Sequence, residues 1–278
     1  MRAATLGLAA SLFAGNALAA DYLRGSTYES PGETYQWSGW YVGGQVGYTN
    51  VDFGFAGSTR TMVANLVRAL LVEQEFSVSG LPNLPGRDAR GISFGAFVGY
   101  NAQWGDVVLG TELNYNHASI RADTTELIGR SFTTTNEFRN DVLISSNASA
   151  RLTDFGSLRF RAGYAMGWLM PYATAGLAVG LVNYTRSVNV QIVETDVSQA
   201  ALDPTDGIPP RAGGALNQIA SEVRNGAFAW GFTAGAGVDI GLTKNLFLRA
   251  EYEYMYLNPV GGIDFHINTV RAAAGLKF

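Results

Sequence analysis

The sequence predicts an all-β fold in which eight antiparallel strands close into a transmembrane β-barrel. Of 278 residues only 15% are charged, whereas 34 are glycine and 12% are aromatic, a composition unusual for a soluble domain. No run of 18 or more apolar residues follows residue 19, so no membrane-spanning helix is expected. From Trp40 onward, apolar residues alternate with small or polar ones, which is typical of strands that face lipid on one side only.

Residues 1–19 have the pattern of a secretory signal peptide. Arg2 precedes an apolar run from Ala3 to Ala14, and Ala17-Leu18-Ala19 forms an A-x-A cleavage site. This pattern predicts export, with Ala20 as the first residue of the mature chain. We expect residues 20–37 to form a polar arm in the periplasm and residues 38–278 to form the barrel.

Eight segments alternate with period two, and each predicts one strand. In chain order they begin near Trp40, Ile92, Val107, Leu158, Ala173, Phe228, Leu246 and Val270. Their polar faces carry mainly glycine and serine, whereas the water-facing side of a soluble sandwich would carry many more Lys and Glu residues. The segment 153–156 could form a turn, but a ninth strand would put the C-terminus on the wrong side. We therefore interpret 141–166 as one long strand.

The connections between these segments alternate between short and long. Three tight turns are predicted at Trp104-Gly105-Asp106, Gly167-Trp168-Leu169 and Thr243-Lys244-Asn245. Four longer connections are predicted at about 53–90, 117–150, 185–225 and 257–265. Short periplasmic turns and long extracellular loops are the usual asymmetry of outer-membrane barrels.

The period changes inside two of the long loops. Within residues 58–74, apolar residues recur at helical spacing, namely Met62, Val63, Leu66, Val67, Leu70 and Leu71. In the third long loop, Leu216, Ile219, Ala220 and Val223 have a similar spacing. The pattern predicts a short helix in the first loop and another in the third. Their apolar stripes would pack on each other or on the barrel rim, or would bind a partner.

Four segments resemble the small outer-membrane β-barrel family of alphaproteobacteria, which has an OmpA-like transmembrane fold. They are the opening segment 37–48, the central segments 155–164 and 171–178, and the closing segment 270–278. The resemblance implies a barrel surrounded by outer-membrane lipid and lipopolysaccharide. It also implies that the C-terminal aromatic Phe278 is the signal that the barrel-assembly machinery reads.

The resemblance suggests one chemical role for the mature N-terminus. Some members of the family begin with Ala-Asp and are joined covalently to peptidoglycan through the α-amine of that alanine. Ala20 and Asp21 match this start, so attachment of the protein to peptidoglycan is one hypothesis. The alternative is that Ala-Asp is an ordinary remnant of signal cleavage.

The strand alternation assigns a set of charged residues to the barrel interior. The set comprises Glu112, Arg159, Arg161, Asp239, Arg249, Glu251, Glu253 and Arg271, with Lys277 at the periplasmic mouth. Such charges could line a gated ion path. We favour a network of ion pairs that closes the lumen, because buried unpaired charges are costly and eight strands enclose little more space than side chains fill.

The two histidines raise two further hypotheses. His117 and Ser119 lie on one lipid-facing face and resemble the catalytic pair of lipid A deacylase barrels, in which histidine activates a serine nucleophile. Those enzymes continue with asparagine, whereas Ile120 follows here, and only Glu126 or Glu137 could orient His117, through loop folding. We favour an interfacial position without chemistry. Some relatives are reported to bind haem, so His117 and His266 are conceivable axial ligands.

Other classes of function find little support in the sequence. There is no cysteine, and 19 basic residues face 23 acidic ones, which argues against a thiolate metal site and against nucleic acid as a partner. No dinucleotide, hydrolase-elbow or zinc-protease motif is present. We therefore expect no enzyme and no cofactor. The favoured function is structural support of the envelope. The alternatives are a binding module, with a protein partner, host surface or haem at loops 53–90 and 185–225, and a narrow pore.

Overall fold

The computed structural model describes residues 35–198, 205 and 209–278. The signal peptide and the Ala20-Asp21 start lie outside the described residues. The strands are β1 Gly39–Gly54, β2 Arg87–Trp104, β3 Val107–Thr133, β4 Phe138–Tyr164, β5 Leu169–Asp196, β6 Ala215–Gly241, β7 Leu246–Val260 and β8 Ile263–Lys277. The helices are α1 Arg60–Val67 and α2 Leu71–Phe76, followed by a 3-10 turn at Val78–Gly80.

The eight strands form one closed barrel, as the sequence predicts. Each strand pairs antiparallel with its neighbours in chain order, and β1 pairs with β8 to close the ring. The three predicted tight turns are present between β2 and β3, β4 and β5, and β6 and β7. Gly105 and Gly167 have φ values of 59° and 65° in the first two of these turns, a conformation that glycine adopts without a steric penalty.

The strands fall into two length classes. β3 to β6 have 27 or 28 residues each, whereas β1, β2, β7 and β8 have 15 to 18. A four-stranded sheet formed by the upper parts of β3 to β6 therefore extends beyond the others on the extracellular side. This sheet is called the extracellular platform below.

The expected loop boundaries were wrong in consequence. The second connection is only 134–137 and not 117–150, the third is 197–214 and not 185–225, and the fourth is the two-residue turn 261–262 and not 257–265. The first connection, 55–86, is long as expected. The prediction ended each strand where its outer face stopped being apolar. The alternation continues beyond that point, but there the apolar residues are on the inner face and the polar residues on the outer face.

The helix predicted in the third loop was also wrong, because this segment is part of β6. Leu216 and Ala220 are partly buried against the platform core, whereas Ile219 and Val223 are exposed. A spacing of three or four residues is compatible with either element when only four apolar residues define it. The segment is a strand because it pairs with β5, for example at Val188 with Ala220.

The first loop contains helices, as predicted, but two short ones instead of one. Val63, Val67 and Val72 are fully buried against inner-face residues of the platform, including Ile144 on β4 and Val190 on β5. The apolar stripe is therefore covered by the protein itself. Among the described residues, no helix is long and apolar enough to cross a membrane.

Irregularities at one level separate the platform from the lower barrel. The strand register shifts between His117 and Ile120 on β3, between Leu152 and Asp154 on β4, and between Val182 and Tyr184 on β5. Thr153 is the extra residue of β4 relative to β5, which is the definition of a β-bulge. The ambiguous segment 153–156 is thus a bulge within one long strand.

Candidate functional site

A cluster of eight charged side chains lies inside the membrane-spanning part of the barrel. It contains four acids and four bases, all at most 3% exposed: Glu112, Arg159, Arg161, Asp239, Arg249, Glu251, Glu253 and Arg271. They project from β3, β4, β6, β7 and β8. The cluster carries no net formal charge, as a desolvated site requires.

The strand register brings acids and bases together. Glu112 on β3 pairs directly with Arg159 on β4, and Glu251 on β7 pairs with Arg271 on β8. Directly opposite residues on one face of an antiparallel pair have neighbouring side chains. The sheet pairing therefore forms much of the network before any contact crosses the lumen.

Arg159 makes the contacts that cross the lumen. Its Nη1 donates to Glu251 Oε1 at 2.6 Å and to Glu253 Oε1 at 3.0 Å. Its Nη2 donates to Glu112 on the neighbouring strand and to Glu251 Oε2 at 3.3 Å. One guanidinium thus joins β3, β4 and β7, and its side chain is fully buried.

The remaining bases extend the network. Asp239 accepts hydrogen bonds from Arg161 and from Arg249, whose Nε lies 2.9 Å from Asp239 Oδ1. Arg249 also donates through Nη1 to Glu112 Oε2 at 2.7 Å. Arg271 donates to Glu253. Every acid in the cluster therefore contacts at least one guanidinium.

Neutral side chains that the sequence analysis did not single out complete the network. Tyr41 and Tyr172 donate their hydroxyls to Glu112 and Glu251 at 2.9 and 2.6 Å. The Arg161 guanidinium lies 3.6 Å from the centre of the Tyr172 ring, a cation–π contact. The signal that could have found these tyrosines is strand parity, which places Tyr41 on the polar face of β1.

Layers of other side chains lie below and above the charges. Toward the periplasmic mouth, Trp37, Phe97 and Phe247 belong to a buried apolar cluster. On the extracellular side, Gln45 donates to the side-chain oxygens of Asn114 and Asn116 at 2.8 and 2.7 Å. A large apolar cluster follows further up. The arrangement can hold the strands together and exclude water from the lumen.

On the lipid-facing side, His117 has an acidic partner that the sequence analysis missed. Its Nδ1 lies 2.9 Å from Asp154 Oδ1, which also accepts a hydrogen bond from the Tyr115 hydroxyl at 2.6 Å. The two residues pair directly across β3 and β4, so only the register could reveal them. Within the described chain, no hydrogen bond joins Ser119 to His117.

The structure does not bring the two histidines together. His117 is on β3 and His266 is on β8, and β1 and β2 lie between these strands. His266 Nδ1 is bonded to the Tyr254 hydroxyl at 2.8 Å. Among the described residues, no group of three or more His, Cys, Asp or Glu side chains could hold a metal ion.

Two arginines, Arg186 and Arg211, tie extracellular segments to the platform. Arg211 donates to Asp196 through its main-chain nitrogen at 2.7 Å and through its guanidinium at 2.7 and 3.1 Å, and these bonds hold the pKa of the Asp196 carboxyl well below its usual range. Arg186 donates to Ser58 O and to Gly261 O. It also donates to the Glu222 carboxylate, and this bond lowers the pKa of Glu222.

The C-terminal Phe278 directly follows β8 at the periplasmic side. Its main-chain nitrogen donates to Trp40 O at 2.8 Å, and the residue is 74% exposed. The ring is therefore accessible on the outside of the closed strand pair. Ala20 and Asp21, the candidate attachment residues, lie outside the described residues.

Comparison with known proteins places this architecture in a family. A family model described as the outer membrane protein beta-barrel domain matches residues 5–278. The chain belongs to this family. It is therefore a β-barrel of the bacterial outer membrane.

Individual relatives are distant. The 31 kDa outer-membrane immunogenic protein of Brucella melitensis is 26% identical over 292 residues, with complete coverage of both chains. The 22 kDa outer membrane protein of Rhizobium leguminosarum is 25% identical, over 87% of this chain and 78% of its own. Among solved structures, the attachment invasion locus protein Ail of Yersinia pestis aligns with 87% of this chain and 99% of its own, at 14% identity and a TM-score of 0.35.

Proposed function

We propose that this protein is a closed, non-conducting barrel whose role in the outer membrane is structural support of the envelope. The observation that carries the proposal is the set of hydrogen bonds from Arg159 across the lumen to Glu251 and Glu253. A permeation path along the axis would have to break these contacts. Removing one partner from a buried ion pair costs about 3–5 kcal/mol, so the closed state is strongly favoured.

Conductance in planar bilayers tests the closed state. We expect the refolded protein to produce no steps above background. A charge-neutral double variant, Arg159→Ala with Glu251→Ala, should empty the centre of the lumen and produce small steps, which shows that the assay detects a narrow path. Steady single-channel steps from the unmodified protein would contradict the proposal.

The structural role is tested in cells. Deletion of the gene should increase sensitivity to detergents and to large antibiotics that the outer membrane excludes. The complete chain, expressed from a plasmid, should restore resistance. Unchanged sensitivity in the deletion strain would exclude a structural role of measurable size.

We extend the proposal to attachment of the N-terminus to peptidoglycan, supported by the Ala20-Asp21 start. The first described residues support a periplasmic approach of the chain: Trp37 Nε1 donates to Gly167 O in a periplasmic turn at 3.0 Å. Sacculi boiled in detergent and digested with muramidase and trypsin should release residues 20–24 carrying a muropeptide. Recovery of this peptide only in free form, in the detergent-soluble fraction, would exclude attachment.

A second candidate function is recognition of a protein or host surface by the extracellular platform. The upper part of β6 supports it: β7 pairs with β6 only from Gly231 onward, so the segment 215–230 is a sheet edge, where another chain could add a strand. Ile219 and Val223 are 71% and 62% exposed there. The double variant Ile219→Lys/Val223→Lys should reduce adhesion of expressing cells to host cells, while Leu127→Lys, on the opposite edge strand β3, should not. Equal adhesion of cells that express the wild type, the double variant or Leu127→Lys would exclude this edge as the binding surface.

The proposal includes no catalytic step at His117. The absence of a hydrogen bond between His117 and Ser119 in the described chain supports this, since a serine nucleophile needs a base within reach. Mass profiles of lipid A from cells that express the wild-type protein or His117→Ala should be identical. A species that lacks an acyl chain only with the wild-type protein would contradict the proposal.

A further inference from the structure

The lipid-facing surface contains a groove below the bulges. It has a volume of about 610 Å³, and its walls include Leu113, Tyr115, Leu158, Leu177, Val179 and Phe228. Gly156 lies at its floor, paired directly with Tyr115 on β3 and Val179 on β5. A Cβ atom at this position would meet the carbonyl oxygen of Asn114 at 2.7 Å. Because one side chain is missing from an otherwise continuous apolar wall, the groove has the shape and chemistry to take an acyl chain.

The polar group at the upper end of the groove is hydrogen-bonded within the protein. Asp154 lines the groove, and its carboxylate is bonded to the Tyr115 hydroxyl and to His117. The acid marks the point where the apolar surface ends.

Above the bulges, two arginines lie directly opposite each other on the outer face. Arg121 on β3 pairs with Arg151 on β4, and both line a polar hollow of about 190 Å³ together with Asn183 and Asn225. Like charges at directly opposite positions destabilise a sheet. Arg121 has an exposed ion pair with Asp123, whereas Arg151 has no hydrogen bond or ion pair within the described chain. Because both arginines line the same hollow, an anion bound there would lie beside two positive charges.

The vertical positions of these features correspond to the layers of a bilayer. Ten residues separate Val107 from His117 on β3, which at about 3.4 Å per residue and a tilt of about 40° spans about 26 Å. That is close to the apolar band of such barrels, about 25 Å tall. Arg121 lies four residues further along, about 10 Å higher by the same geometry. The arginines are therefore just above the apolar band, and their long side chains can reach down to lipid phosphates.

We propose that this surface is a binding site for one phosphorylated, acylated lipid of the outer leaflet, the class to which the lipid A portion of lipopolysaccharide belongs. One acyl chain occupies the groove over Gly156, and a phosphate lies between Arg121 and Arg151. The site is independent of the structural role proposed above. It requires only that the barrel is in the outer membrane.

Native mass spectrometry of the refolded full chain with bisphosphorylated lipid A tests the phosphate contact. Arg151→Gln should weaken binding about tenfold, which is the effect expected for one charge-assisted contact. The matched control is Arg139→Gln, an exposed arginine on the same strand, and it should bind like the wild type. Dephosphorylated lipid A should bind the wild type about as weakly as Arg151→Gln binds lipid A, with no further loss in the variant.

A second pair of variants tests the groove. Val179→Trp should fill it and weaken lipid A binding about tenfold, whereas Val270→Trp, at a lipid-facing position of β8, should not. Folding is checked for each variant by the mobility shift between heated and unheated samples in gels. The proposal is overturned if Arg151→Gln binds like Arg139→Gln, if phosphate removal has no effect, or if both tryptophan variants behave alike.

Discussion

The interior of the barrel has opposite chemistry in its two halves. Below the bulges the inner face carries charges, such as Arg159 on β4, and the outer face carries apolar residues such as Leu158 and Phe160. Above the bulges the same strand has Leu152 inside and Arg151 outside. One strand therefore follows two patterns, and the exchange takes place at Thr153.

The difference follows from what surrounds each half. In the membrane the outer face must be apolar, so the polar residues are left for the lumen, where they must pair with one another. Above the membrane the outer face meets water, so the hydrophobic effect stabilises an apolar interior, as in a soluble protein. The lower half is thus stabilised by ion pairs and the platform by apolar packing. We therefore expect substitutions in the two halves to have different effects on stability and conductance.

The largest effect should come from removing the bulge itself. Deletion of Thr153 changes the strand parity, so that either Arg159 or Leu152 faces the wrong environment. We expect this variant not to refold, with no mobility difference between heated and unheated samples. Deletion of Pro209, in the third connection, is the control and should refold normally. A folded Thr153 deletion would mean that the bulge does not couple the two halves.

Removing Arg159 tests the lower half. Arg159→Ala leaves Glu112, Glu251 and Glu253 with fewer partners, and we expect the free energy of unfolding in urea to fall by about 3–5 kcal/mol. Arg151→Ala, on the outer face of the same strand, should change it by less than about 0.5 kcal/mol. Similar values for the two variants would contradict a stabilising network.

Removing Leu152 tests the apolar cluster that lies above the charged layer. Leu152 is fully buried in the upper apolar cluster, so Leu152→Ala should cost about 2–5 kcal/mol through lost burial and the cavity that remains. Unlike the double variant of Arg159 and Glu251, it should leave the bilayer conductance at background, because the charged layer below is intact. Leu158→Ala, at an exposed lipid-facing position, is the control with a smaller effect. Conductance steps from Leu152→Ala would show that the apolar layer also closes the lumen.

The smallest effect should be local to the third connection. Asp196→Asn removes the acceptor of the Arg211 bonds, so trypsin should cleave after Arg211 several times faster while global stability is unchanged. In the wild type the lowered pKa of Asp196 keeps the carboxylate ionised in mild acid. Its contribution is complete above the ordinary pKa of about 3.9 and is lost only as the pH falls through the lower folded value.

Hydrogen exchange of residues 209–214 measures this pH dependence. After correction for intrinsic rates, the protection of this segment should be equal at pH 7 and at about pH 3, where an ordinary Asp carboxyl is mostly protonated. Asp123→Asn, which removes an exposed partner of Arg121, should leave both exchange and cleavage after Arg211 unchanged. Loss of protection in the wild type at about pH 3 would contradict a lowered pKa of Asp196.

Much of the fold could be predicted from the sequence because contact with lipid requires a strict alternation of apolar and polar residues along each strand. The lipid-facing residues of β2, such as Phe94 and Val98, are exposed as their parity predicts, and the same parity assigns Glu112 and Arg159 to the lumen. The short turns were equally clear, since Gly105 and Gly167 lie where the alternation stops. These features are local, so neighbouring residues carry the information.

The upper half was harder to predict because its outer environment changes. Residues 118–133 still alternate, but with apolar residues inside, so a search for a lipid-facing pattern ended too early. The segment 216–223 was assigned to a helix because pairing with β5, which decides its structure, joins residues far apart in sequence. Val67, in contrast, was correctly placed on an apolar helical stripe, because a stripe is local.

The sequence by itself determined the number of strands and the polarity of each face of the membrane-spanning strands, because alternation is encoded in adjacent residues. Only the tertiary structure decided which charges meet, such as Arg159 with Glu251, that Asp154 binds His117, and that Arg121 lies opposite Arg151. The physical reason is that these contacts depend on the register between neighbouring strands. Two strands can be recognised separately, but the side chains that touch depend on how the strands align, and here that alignment is shifted by bulges that the pattern of either strand alone does not reveal.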